Sequence, residues 1–252
     1  MQAEFAGKSV VVTGASRGIG LAVARMFAAR GALVVAVARE RDALEAAVRS
    51  LPGDHGQAHG AVAGDANSAD TAARAVAAAV ERGGGLDVLA NIAGWYPTGL
   101  VADTSDADFE QTLAANIGAT FRMCRAAAGA LGQRGGSIVN MSSTAARFPT
   151  PGLASYSASK AAVEGFTRSL AAELAPAVRV NAVAAGPTLT ETVRDLMDSD
   201  TTGAVRAVTQ SLPLGRLAEV DEIAEAVLFL ASPRASVITG QVLYANCGGH
   251  MA

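Results

Sequence analysis

Tyr156 and Lys160 stand four residues apart in an alanine-rich run, Tyr156-Ser157-Ala158-Ser159-Lys160, that reads as helix. At that spacing two side chains share one helix face, one above the other. A phenol beside an ammonium group is an acid/base pair. The cation favours the phenolate and draws the tyrosine pKa below its ordinary value of about 10. Such a pair arises by chance in many helices, so other residues must decide what it does.

A second constellation lies near the start of the chain. Residues 8–13 (KSVVVT) form a short, β-branched apolar run and read as a buried strand. The turn Thr13-Gly14-Ala15-Ser16-Arg17-Gly18-Ile19-Gly20 follows, and residues 19–29 read as helix. Strand, glycine turn and helix are the first half of a dinucleotide-binding βαβ unit. Gly14 permits the tight turn, Gly18 lets backbone approach a pyrophosphate, and Gly20 lets helix and sheet pack closely. Free N–H groups at the helix start would hold the phosphates. Residues 33–38 (LVVAVA) read as the second strand. A carboxylate at its end would bind the ribose 2′-hydroxyl of NAD. That place holds Ala38, followed by Arg39, and Arg17 lies in the glycine turn. Two guanidinium groups and no carboxylate suit a 2′-phosphate, which favours NADP(H) over NAD(H).

These parts need a scaffold. Residues 57–63, 86–90, 137–141, 178–184 and 241–245 read as further strands, and 41–50, 69–81, 106–131, 154–174 and 220–231 as further helices. Ser68 suits the cap of one helix, and Pro176 ends another. Strict alternation implies an α/β fold: one domain over residues 1–252, with a doubly wound, mostly parallel seven-stranded sheet and helices on both faces. Small residues at strand ends, Asn91-Ile92-Ala93-Gly94 and Gly186-Pro187-Thr188-Leu189-Thr190, leave room for a ligand. Residues 188–213 read as a substrate lid of mobile helices. Trp95 and Tyr96 either line a pocket or pack against the lid; Phe148, Leu153, Leu196 and Met197 are further pocket candidates and suggest an apolar group.

Half of the 252 residues are hydrophobic and 17% are charged, enough for a large core. A net charge of −3 without a basic stripe excludes a nucleic-acid patch or an anionic-membrane surface. No run reaches the ~18 apolar residues of a membrane span, and the N-terminus lacks a signal-peptide pattern, so a cytoplasmic protein is expected. Cys124 and Cys247 have no metal-type spacing and read as free thiols.

The whole pattern resembles the short-chain dehydrogenase/reductase family, with a tail (Pro213 to Arg216 and Ile238 to Gln241) similar to its β-ketoacyl carrier-protein reductase branch. The matching motifs are Thr13 to Gly20, Asn91 to Gly94, and Tyr156 with Lys160. Ser143 and Asn116 stand at the family's remaining catalytic spacings. The resemblance implies a Rossmann fold, a homotetramer or homodimer, and NADP(H)-dependent reduction of a carbonyl to an alcohol, reversibly. Ser143 and Tyr156 would hydrogen-bond the carbonyl oxygen, with Tyr156 giving the proton. Lys160 would hold the nicotinamide ribose and tune Tyr156, and Asn116 would hold a water leading to solvent. Gly14, Ser16, Arg17, Gly18, Ile19 and Gly20 would surround the phosphates, with Arg39 at the 2′-position. Asp65 and Ala66 would meet the adenine, Asn91, Ala93 and Gly94 the ribose region, and Gly186, Thr188 and Thr190 the nicotinamide end.

Three departures stand out: Ile92 for a second asparagine, Ala185 for a proline, and Asn246-Cys247 where the family has an aspartate before its glycines. His250 either reaches a neighbouring subunit or stays on the surface. The alternatives are an NAD-dependent alcohol dehydrogenase and a non-catalytic NADP-sensing protein on the same fold.

Overall fold

Val10, Val11 and Val12 are all fully buried in β1 (Ser9–Thr13). Successive strand residues point to opposite faces, so both faces of the sheet must be covered. The computed structural model, which describes residues 3–53 and 56–251, supplies both covers. With β2 (Leu33–Ala38), β3 (Gly60–Ala63), β4 (Val88–Asn91), β5 (Ser137–Ser143) and β6 (Arg179–Ala185), β1 forms a sheet that a last strand completes. Short β7 (Thr188–Leu189) and β8 (Ala218–Glu219) pair separately, and β9 (Val242–Ala245) is the seventh strand of the main sheet. Its order is β3-β2-β1-β4-β5-β6-β9, and every pairing is parallel.

The helices are α1 (Gly18–Ala29), α2 (Arg41–Arg49), α3 (Ala69–Gly83), α4 (Asp106–Leu113), α5 (Ala119–Arg134), α6 (Ala154–Leu174), α7 (Glu191–Asp198), α8 (Ala204–Ser211) and α9 (Val220–Ala231). One face of the sheet packs on Val23 and Phe27 of α1, Leu44 of α2, and Ile223, Val227 and Leu228 of α9. The other packs on alanines of α3, on Met123 and Leu131 of α5, and on Leu170 of α6. Between β1 and β4 the chain reverses its direction of winding, and a crevice opens there at the carboxyl ends of the strands. Among the described residues, no helix is long and apolar enough to cross a membrane.

Besides shifts of one or two residues at other element ends, the sequence-based elements differ from the structure in four places. The third strand begins at Gly60 because the His59 ring replaces the ladder: its Nδ1 accepts from Val34 N–H at 3.1 Å. The fifth strand runs on to Ser143, since Ser142 and Ser143 pair with Ala184 and Ala185. The turn at 188–190 contains β7, bound to β8. The expected helix over 106–131 is broken by a π-turn, Ala114–Gly118, in which Ala119 N–H reaches back five residues to Ala114 O.

Candidate active site

The glycine turn owes its shape to contacts that tolerate no side chain. A Cβ on Gly20 would lie 2.1 Å from Gly14 O, and one on Gly14, where φ is +69°, would lie 2.9 Å from Ala93 Cα. The turn therefore sits directly against the end of β4. Thr13 joins the two, its Oγ1 accepting from Ile92 N–H and Ala93 N–H, each at 3.0 Å. Arg17, the N-cap of α1, supplies no side-chain cap, and the first turn holds no acidic residue. Its N–H groups and positive dipole end are left facing the crevice.

That crevice is a cavity of about 560 Å³. Gly14, Ser16, Arg17, Ile19, Gly20, Arg39, Asp65, Ala66, Ala93, Gly94, Trp95 and Thr190 line it, together with Ala38 and Glu40. A dinucleotide fits the donor set: bare backbone where phosphates would come, two arginines, and walls rich in glycine and alanine. Besides Tyr156 and Lys160, four expected cofactor residues are not part of the lining. Gly18, at φ +54°, turns the chain beneath Thr190. Asn91 is buried and ties β4 to its neighbours, its Nδ2 donating to Asn140 Oδ1 at 2.9 Å, while its Oδ1 is left without a partner. A Cβ on Gly186 would lie 2.7 Å from Asn246 Cα, so this glycine admits the chain's end. Thr188 donates to Gly186 O at 2.8 Å and closes its own turn.

The catalytic candidates gather at the Gly94 end. A Cβ on Gly94 would lie 2.8 Å from Asn116 Oδ1 and 3.4 Å from Lys160 Nζ. Lys160 is buried, its Nζ donating to Met141 O at 2.8 Å and lying 5.6 Å from the Tyr156 ring centre. Ser143 Oγ accepts from Ala145 N–H at 3.2 Å, and its hydroxyl hydrogen-bonds the Tyr156 phenol. Trp95 lines the cavity, and the Tyr96 ring stands 5.6 Å from that of Tyr156. Phe148 and half-buried Leu153 flank a loop stitched across by Gly99 N–H to Gly152 O at 3.0 Å; Leu196 and Met197 stand exposed on α7.

One expectation needs correction. The Tyr156 phenol is not drawn down: burial pushes it up to about 12, the Ser143 hydroxyl opposing and Tyr96 reinforcing this. Burial also pushes the Lys160 ammonium down to about 8. Desolvation outweighs the cation because the ammonium lies over the ring and binds Met141. Asn116 has its amide engaged by the pocket loop. Its Nδ2 donates to Trp95 O at 2.8 Å and to Thr112 O at 2.9 Å, and its Oδ1 accepts from Trp95 N–H at 3.3 Å. The π-turn is what aims this side chain at the loop and away from solvent.

Sequence reasoning missed Glu164. It lies four residues beyond Lys160, so the helical spacing that links Tyr156 to Lys160 puts it on the same face. His250 stacks on Tyr244 of its own chain at 5.0 Å. Both cysteines are free, and Cys124 is buried.

The low Lys160 value carries a stability prediction. Below about pH 8 the lysine is charged in folded and unfolded chains alike, and the burial penalty is present in full. Between about 8 and the ordinary 10.5 the folded chain releases the proton first, and the penalty fades. Lys160→Met is expected to raise Tm at pH 7 while turnover is lost, the gain shrinking above pH 8. A Tm below the parent's at pH 7 would mean the bond to Met141 outweighs the penalty.

Comparison with known proteins extends this picture to the whole chain. A family model described as Enoyl-(Acyl carrier protein) reductase matches residues 14–250. The chain is 39% identical over 247 residues to a glucose 1-dehydrogenase of Gluconobacter oxydans, covering 97% of this chain and 92% of that protein. It is 36% identical over 247 residues to the 3-oxoacyl-acyl-carrier-protein reductase FabG of Vibrio cholerae, covering 97% and 98%. A crystal structure of a short-chain glucose/ribitol dehydrogenase from Brucella melitensis superposes with a TM-score of 0.91 at 38% identity over 100% of both chains.

Proposed function

Because the chain belongs to the short-chain dehydrogenase/reductase family of oxidoreductases, we propose that it reduces a ketone or aldehyde carbonyl to an alcohol with NADPH, reversibly. The observation that carries this reading is the grouping of Lys160 and Asn116 around Gly94, which lines the same cavity as Arg17 and Arg39. NADPH, when bound, supplies the hydride. The α1 N-terminus would hold its phosphates, Arg17 and Arg39 the 2′-phosphate, and Asp65 with Ala66 the adenine end.

The chain's own residues supply the proton and the electrostatics. Ser143, with its acceptor side held by Ala145 N–H, donates to the carbonyl oxygen. Tyr156 donates a second hydrogen bond and then its proton as charge gathers on that oxygen. A phenol kept protonated up to about 12 is always armed for this direction. Lys160 holds the ribose hydroxyls beneath the phenol, and Asn116 fixes the Trp95 backbone that walls the pocket. Residues 188–213 would cover the site as a lid.

Tyr96 and Phe148, both about half exposed beside the site, support an apolar substituent on the carbonyl. The test is NADPH consumption over a panel of aryl ketones, 3-oxoacyl thioesters and sugars. Apolar carbonyls are expected to exceed sugars by about tenfold or more in kcat/KM, and Tyr96→Ala to lower the aryl-ketone value by about tenfold. Turnover of sugars alone would remove the apolar assignment; NADPH binding with no turnover of any carbonyl would point to a sensor. A second reading, an NAD-dependent alcohol dehydrogenase, is favoured by Glu40, a carboxylate beside Arg39 at the same cavity edge.

A further inference from the structure

Glu164 is 1% exposed on α6, yet the proposed reaction gives it no task. A buried carboxylate must be paired or it is costly. Its two oxygens reach two points of one neighbouring segment. One accepts from Ser142 Oγ at 3.1 Å, and the other from Arg147 Nε at 2.9 Å. Those points bracket Ser143. Between them runs a single 3-10 turn, Thr144–Ala146, closed by Arg147 N–H to Thr144 O at 3.0 Å. The same turn presents the Ala145 N–H that fixes the Ser143 hydroxyl. Ser142 Oγ also lies 3.4 Å from Lys160 O, within the helix that carries Tyr156 and Lys160. On its outer side Arg147 meets the Tyr244 hydroxyl of β9, so the guanidinium is held from both directions.

We propose that Glu164 and Arg147 are positioning residues for Ser143: their ion pair locks the turn after Ser143 to the helix bearing Tyr156 and Lys160. This rests on the reading that these three side chains act together on a carbonyl oxygen. Ser143 sits on a strand and Tyr156 on a helix, so their spacing depends on how strand end and helix are joined. Glu164 is the one side chain of that helix face that grips the strand end on both sides of Ser143. A displacement of about 1 Å between reacting groups is enough to cost about 100-fold in rate.

Glu164→Gln keeps the volume and can still accept from Ser142, but it turns an amide towards Arg147 and ends the ion pair. With the best-reduced carbonyl of the panel, kcat is expected to fall about 10- to 100-fold. Substrate KM, NADPH Kd and Tm should stay close to the parent's. Arg147→Lys should retain more activity than Arg147→Met, and Glu164→Gln with Arg147→Met should be no slower than either alone. The decisive arm is a Ser143→Ala background, where Glu164→Gln should have little further effect. A parent-like kcat for Glu164→Gln, an undiminished loss in the Ser143→Ala background, or a loss that follows Tm or NADPH binding overturns the proposal. Tyr156→Phe in the same assay separates the two readings. If it turns over normally, the carbonyl mechanism fails with all that rests on it; if it is inactive while Glu164→Gln is normal, only the brace fails.

Discussion

Tyr156→Phe is expected to lower kcat by about 100- to 10,000-fold, the range over which a positioned general acid contributes. NADPH Kd should change by less than about threefold, because the substitution removes one oxygen and leaves the ring over Lys160 and against Tyr96. The split between kcat and Kd is the informative part. A phenol that merely packed would, on losing its hydroxyl, cost little in either quantity. The direction of reaction matters too. The phenol is pushed up to about 12, which suits a donor in carbonyl reduction. Alcohol oxidation needs the phenolate, so its rate in the parent enzyme should climb with pH further than reduction does. Near-parental reduction by Tyr156→Phe would remove Tyr156 from the mechanism.

The second large effect concerns the cofactor. The parent is expected to favour NADPH over NADH by about tenfold or more in kcat/KM, from charge-assisted bonds to the 2′-phosphate. Arg39 and Arg17 are both exposed on the cavity rim, and Ala38 ends β2 with no carboxylate. Ala38→Asp with Arg39→Ala reverses the local charge, and the ratio should move about 100-fold towards NADH. Glu40 is the competing influence. It stands on the same rim and would repel the phosphate if it turned inwards. A parent that prefers NADH by tenfold or more would assign the site to NAD(H) and make Glu40 the residue to replace next.

The parts visible in the sequence were those with a local physical cause. β2, α6 and α9 have the bounds read from apolar runs, Ser68 accepts from Thr71 N–H as a cap, and Gly84 takes the left-handed conformation at the end of α3. The crevice followed from glycine spacing and strand order. What stayed hidden depends on partners far apart in the chain. Ser142 and Ser143 look like turn residues until β6 is beside them. Glu164 looks like one more helix charge until Arg147 is placed. The Tyr156 phenol looks lowered until burial is counted against its neighbour's charge. Asn116 was hidden differently: a periodic reading assumes one phase along a helix, and residues 106–134 have two.

That break in phase has a consequence for how the protein balances stability against use. The π-turn holds one residue more than an α-helix of that span requires, much as a dislocation holds one extra row in a crystal. The surplus cannot relax along the helix, because α4 and α5 each pack in their own register. It stays where Asn116 grips Trp95, and it shapes the wall of the pocket. Changes that would improve residues 114–118 as helix, by propensity or by deleting a residue, act to anneal the defect and turn that amide away. In this stretch a better helix and a well-held pocket wall pull in opposite directions, and the irregularity keeps the second at the expense of the first.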